Sequence, residues 1–318
     1  MQTYLKTKPV WVQLLLFIGM AFGIFLVLSL IGMFILSGLT GIGFSELQNV
    51  DDWDYNNPKM IFYIRGMLLI QFLGLFVIPS LLYAYFADPE PLSFAGLRWP
   101  SSSVYWILGI VALIAAIPFV EYLGLLNQKI SLGSETEKWM KGMEEDAAKQ
   151  IQFMLKKHTI TELLLNLIFI ALFAGVGEEL FFRGILQRLF IRAFKNPWAG
   201  IIITAAIFSG FHFQFYGFFP RFALGILLGA VYWYSGSLWT AMLAHFVYDG
   251  LIIVLVYFNP EMLLEPNKPM LQASNLVIAA ALSLAATLFI LWQMKKNSKT
   301  SYEEIYRDDH PPRDQFTF

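Results

Sequence analysis

The run Ile168-Phe-Ile-Ala-Leu-Phe-Ala-Gly-Val-Gly-Glu-Glu-Leu-Phe-Phe-Arg183 decides how the rest of the chain is read. It begins as hydrocarbon-compatible sequence and then carries Glu178, Glu179 and Arg183 without a break. A charge at the centre of a bilayer costs at least ~2.5–3.5 kcal/mol, so such groups face a cavity or a partner. Two later apolar runs repeat the pattern: Phe208-Ser-Gly-Phe-His212 and His245-Phe-Val-Tyr-Asp249. The chain has 4 histidines, and these runs hold two of them. The others, His158 and His310, fall in a loop and in the tail.

Composition agrees with a membrane reading. Of 318 residues, 57% are hydrophobic, 17% aromatic and only 14% charged. A soluble domain is expected near 45–50% apolar and about 25% charged. Disorder, a coiled coil and an ordinary cytosolic enzyme are thereby excluded. A net charge of −1 gives no global basic field for nucleic acid. The absence of cysteine removes disulfides, thiolate zinc sites, iron–sulfur clusters and a cysteine nucleophile. Any metal must be held by histidine and carboxylate.

A membrane helix needs ~20 apolar residues. Eight stretches qualify, near 10–37, 61–87, 103–126, 160–182, 198–215, 219–235, 237–258 and 273–294. The first is too long for a cleaved signal peptide and lacks a small-residue cleavage site. The sixth is the weakest, being short and opening on Arg221, which is expected to snorkel to the interface. The fold class is therefore all-α, a polytopic membrane protein of about eight spans around a buried polar chamber. Residues 1–126 form a three-helix region and 160–258 the candidate catalytic core. Residues 259–294 hold the last span, and 295–318 form a polar tail. Between these, 127–159 reads as a surface segment, because Trp139, Met143, Ala147, Ile151 and Met154 recur at helical spacing among charges.

Loop charges suggest an orientation. Lys6 and Lys8, then Arg183, Arg188, Arg192 and Lys195, then Lys295, Lys296 and Lys299 share one side if there are eight crossings. The positive-inside rule makes that side, with both termini, cytoplasmic. The loop after the first span agrees, holding Glu46, Asp51, Asp52 and Asp54 against Lys59. The lysines of 127–159 disagree. A bacterial plasma membrane is the expected location.

Spacing gives the ionisable groups geometry. Glu179 and Arg183 are four apart and share a helix face, so they can pair. Glu178 points ~100° away and is free to face elsewhere. His245 and Asp249 also share a face. Glu178 and His212 lie at similar distances from the turn near Lys195-Asn196-Pro197, roughly 25 Å along their helices. If that hairpin protrudes, His245 comes level with them, inside the bilayer and nearer the cytoplasmic side. Two imidazoles and a carboxylate facing inward could activate a water or hold a metal. Glu121, near Pro118, and Asn166 could line the same chamber.

The three motifs together resemble the CAAX protease and bacteriocin-processing (Abi) family, which includes the type II CAAX prenyl endopeptidase. The family pattern is Glu-Glu-x-x-x-Arg, then Phe-x-x-x-His, then His-x-x-x-Asn or Asp, each on a membrane helix. Here it falls on Glu178, Glu179 and Arg183; Phe208 and His212; His245 and Asp249. The resemblance covers roughly 160–258. It implies an intramembrane endopeptidase acting on a peptide or membrane-protein substrate. Glu178 would be the general base, with His212 its partner on the water. His245 would stabilise the oxyanion, with Asp249 orienting it and Glu179 and Arg183 in support. The family has been described both as zinc-dependent and as metal-independent. Glu178, His212, His245 and Asp249 make an N/O set that could take zinc, although no His-Glu-x-x-His helix is present. A transporter or proton relay, and a non-catalytic immunity or scaffold protein, are the competing readings.

Overall fold

The computed structural model describes residues 4–48, 50, 53–54, 56–130, 133–263 and 273–306, and no strand occurs among them. The tail beyond Tyr306, with His310, lies outside the described residues, as do Asp51 and Asp52. Among the described residues nine helices longer than ten residues stand out: α1 (Val10–Thr40), α2 (Pro58–Ala87), α3 (Val104–Asn127), α4 (Ser134–Leu155), α5 (Ile160–Phe194), α6 (Pro197–Gly210), α7 (Phe218–Ser235), α8 (Leu238–Phe258) and α9 (Ala273–Asn297). Seven helical stretches are long and apolar enough to cross a membrane, and the protein is an all-α polytopic membrane protein. The outer helices turn their apolar residues outward. Phe34 is 83% exposed and Leu282 67%, as suits side chains that meet lipid rather than water.

The expected eighth span differs from the other seven. It is α6, the fifth in order, and not α7, whose shortness made it the weaker expectation. α6 has 14 residues, so it rises only ~21 Å against a core of ~30 Å. Local sequence sets both of its ends. The Asn196 side chain accepts from the N–H groups of Trp198 and Ala199, with Pro197 opening the helix and Lys195 turning the chain at φ +50. Past Gly210 the chain leaves the helix, and Phe213 sits at φ +53. Irregular backbone at membrane depth is tolerated where protein or a cavity surrounds it.

Close helix contact relies on small residues. A Cβ on Gly225 would stand 3.0 Å from that of Ala205, which joins α6 to α7. A Cβ on Gly175 would stand 2.9 Å from the Phe246 amide nitrogen, so α5 and α8 touch backbone to backbone. Along Leu167–Leu172 and Ala174–Gln187, α5 widens to π-type hydrogen bonding, as does Phe72–Val77 in α2. Such widening recurs at functional sites. In α3, Pro118 interrupts the ladder, and Ser283 of α9 repairs it by accepting from the Phe119 N–H and donating to the Ala115 carbonyl.

Two faces can be told apart by their contacts. On one, Lys6 pairs with Asp88, Arg98 donates to the Gly236 carbonyl, and Arg192 reaches Gln13. This face carries both ends of the described chain. On the opposite face, Asn127 holds Phe215 and Phe219, Gln152 donates to the Leu263 carbonyl, and Trp53 packs on Phe153. The amphipathic α4 belongs to this second face. It is pinned by Asn166, which donates to the Met154 carbonyl and also accepts from Arg65.

Candidate active site

A cavity of about 420 Å³ lies among α2, α5, α7 and α8. Glu178, His212, His245 and Asp249 all line it. The sequence placed these residues on three helices; the structure brings them to one chamber. His212 differs in detail, because it sits in the turn after α6 and not within the helix. Its Nδ1 donates to the Phe208 carbonyl at 2.9 Å, capping the helix end. A carbonyl can only accept, so Nδ1 carries the proton and Nε2 keeps its lone pair. His212 is thus held as a base or ligand through Nε2.

His245 is held from two sides. Its Nδ1 lies 2.9 Å from Glu179 Oε1, and its Nε2 lies 3.3 Å from Asp249 Oδ2. Glu179 Oε1 also accepts from Arg183 Nη1 at 2.7 Å. Glu179 and Arg183 are fully buried, and Arg183 further donates to the Gly225 carbonyl and covers the Phe208 ring at 4.4 Å. The expected Glu179–Arg183 pair is present. It does more than lock two helix turns, since the shared carboxylate orients a chamber-lining imidazole. Consecutive acids divide the work: Glu179 faces the protein interior, and Glu178 lines the cavity.

Among the described residues, no three His, Asp or Glu groups are arranged to hold a metal ion.

Other lining residues escaped the sequence reading. Arg221 does not snorkel away; it lines the cavity and donates to the Gln214 carbonyl. Tyr248 lines it too, and its place one turn from His245 was a usable signal. Gln150, Ile151 and Met154 of α4 reach the chamber from the second face. Their helical spacing showed an apolar stripe without showing what it would cover. Asn166, a candidate lining residue, fastens α4 instead.

Most lining residues of α2, α5 and α7 come from the half of each helix nearer α4, with Phe76, Glu178 and Leu228 just past the middle. The chamber therefore leans toward the face opposite the termini.

Residues 160–251 match the family described as "Type II CAAX prenyl endopeptidase Rce1-like". A stretch of 98 residues, 30% of the chain, is 30% identical to the uncharacterized protein YpbD of Bacillus subtilis (strain 168). The chain spans about half the length of that relative, 47%. No solved structure matches the chain. The matched segment holds Glu178, Glu179, Arg183, His212, His245 and Asp249, so the similarity to the type II CAAX prenyl endopeptidase Rce1-like family covers every candidate site residue.

Proposed function

We propose that the protein is an intramembrane endopeptidase that hydrolyses a peptide bond in the chamber under α4. The observation that supports this best is the gathering of Glu178, His212, His245 and Asp249 around one cavity while Glu179 and Arg183 lie fully buried behind it. In this reading a water sits between the Glu178 carboxylate and His212 Nε2. Glu178 takes its proton as the oxygen attacks the scissile carbonyl carbon. His245, fixed by Glu179 at Nδ1, shifts its Nε2 proton from the longer Asp249 contact to the carbonyl oxygen as negative charge develops there. The C–N bond then breaks, and Glu178 returns the proton to the leaving nitrogen. No step needs a metal. The substrate is a peptide or a segment of a membrane protein, and whether it carries a lipid is open to direct assay.

Cleavage of a peptide library by the purified protein in lipid vesicles, read by mass spectrometry, tests this. The wild type is expected to cut at defined bonds. Glu178→Gln and His212→Ala are expected to lose at least about 100-fold in rate, the lower bound for a general base, and Glu178→Gln to melt within about 2 °C of wild type, the shift of at most ~0.5 kcal/mol. No cleavage by wild type, or full activity in Glu178→Gln, would refute the proposal.

A further inference from the structure

Arg221 opens the first turn of α7 and shares the chamber with Glu178, His212 and Asp249. Its seat is built for it. The guanidinium lies against Gly217, where a Cβ would collide with it. Its hydrogen bonds run to one neutral residue, Gln214, through Nη1 to the backbone carbonyl at 3.2 Å and through Nη2 to the side-chain oxygen. A guanidinium has five N–H donors in a planar fork suited to carboxylates. Two bonds to Gln214 leave donors for an anion.

One anion already stands nearby, on a different helix. Glu144 of α4 attracts Arg221 and accepts from the Tyr216 N–H. Its Oε2 is buried without a hydrogen-bond partner. Burial raises the Glu144 pKa above the ordinary carboxylate value, against the pull of Arg221 and Tyr216. Between about one and a half and three turns further on, Gln150, Ile151 and Met154 of the same helix line the chamber. One helix thus covers the chamber and brings a poorly satisfied carboxylate up to the cation inside it.

We infer that Arg221 is a specificity-determining residue that anchors a carboxylate of the peptide substrate, and that Glu144 occupies its vicinity until such a substrate arrives. The inference rests on the peptidase reading above. A substrate carboxylate can meet the free donors of the fork directly, so binding releases Glu144 from the cation and α4 from that point of the chamber. The carboxylate could be a chain terminus or an acidic side chain.

Three internally quenched apolar hexapeptides separate these sources, with the full-length protein in phosphatidylcholine vesicles. One ends in a free carboxylate, one in an amide, and one in an amide with glutamate as its penultimate residue. The wild type is expected to prefer the free acid over the plain amide by about tenfold in kcat/KM, the lower end for a charge-assisted hydrogen bond. In Arg221→Gln that ratio is expected to fall to about one, and in Glu144→Gln the KM for the acid is expected to fall relative to the amide. A glutamate peptide as good as the acid assigns the anchor to side chains; one as poor as the amide assigns it to the terminus. Equal cleavage of all three peptides by wild type, or a wild-type ratio retained in Arg221→Gln, would overturn the inference. If no peptide is cleaved, the peptidase reading fails by itself, and fluorescence anisotropy of labelled acid and amide peptides on Glu178→Gln protein decides the anchor. Tighter binding of the acid, lost with Arg221→Gln, supports it; equal binding of acid and amide overturns it.

Discussion

Glu179 carries two hydrogen bonds on one oxygen, from Arg183 Nη1 at 2.7 Å and His245 Nδ1 at 2.9 Å. Neutralising it therefore has two separable consequences. Glu179→Gln leaves a fully buried guanidinium without its counterion. Removing one partner of a buried pair costs ~3–5 kcal/mol. The bond from Arg183 to the Gly225 carbonyl and its contact with Phe208 survive, so the lower end, ~3 kcal/mol, is expected. Arg183→Met strands the carboxylate instead, which can be neutralised by a proton, and ~2 kcal/mol is expected there. The double variant leaves no unpaired charge and should cost ~2 kcal/mol, well below the sum of ~5, giving a coupling of ~3 kcal/mol. Reversible unfolding in mixed micelles measures all three. Single costs below ~0.5 kcal/mol, or a double variant equal to the sum, would refute a buried coupled pair. Activity should not follow stability. The double variant still deprives His245 Nδ1 of its carboxylate. A loss of at least about 100-fold is expected, less than the ~10⁴ that follows neutralising the orienting carboxylate of a Ser-His-Asp triad. A stable and fully active double variant would show that Glu179 serves packing alone.

Three further outcomes are expected. Gly175→Ala should destabilise by ~1–3 kcal/mol, the cost of overpacking, because its Cβ would meet the Phe246 nitrogen at 2.9 Å and the Met242 oxygen at 3.1 Å. Gly19→Ala, with nothing within 4 Å, should stay within ~0.5 kcal/mol in the same unfolding assay. The chain has no cysteine, so Lys141→Cys in α4 and Lys299→Cys after α9, both at exposed positions, can be labelled singly in sealed vesicles with an impermeant maleimide. They should report opposite sides, and labelling on the same side would refute the two-face arrangement. Dialysis against a strong chelator should leave hydrolysis within about twofold, since the proposed steps use only Glu178, His212 and His245. One equivalent of zinc that disappears with His245→Ala would restore the ligand set read from the sequence.

The helices were legible because hydrocarbon demands them. A run such as 10–40 can be satisfied there only by its own backbone bonds. The site motifs were legible for the converse reason, since each ionisable group in such a run needs a partner. What was hidden depends on how segments distant in the chain meet. The Glu179–Arg183 pair follows from spacing along one helix, but the bond from Glu179 to His245 joins residues 66 apart. Arg221 stands near the end of an apolar run, where water and a chamber look alike in sequence. The stripe on α4 showed amphipathicity and gave no sign of the cavity beneath it. The shortness of α6 was written in Pro197 and Gly210, yet the apolar run continues through Phe211 and Phe213 and disguises the stop.

That early stop explains why the chamber lies where it does. A full-length α6 would fill the space above Gly210 with helix and carry His212 past the level of Glu178. By ending at Gly210 it leaves a half-crossing gap, and the residue just beyond it is an imidazole whose Nδ1 closes the helix end on the Phe208 carbonyl. Phe208 and His212 line the cavity from this end of α6, and α4 adds Gln150, Ile151 and Met154 to the same lining. In its neutral form the ring that caps α6 through Nδ1 keeps Nε2 as its unprotonated nitrogen. The same bond that ends the helix thereby fixes the tautomer a water-activating base requires, and chain termination and chemistry at His212 are one structural event. Extending α6 by replacing Gly210 with alanine should therefore lower activity more than stability; equal losses would separate the two.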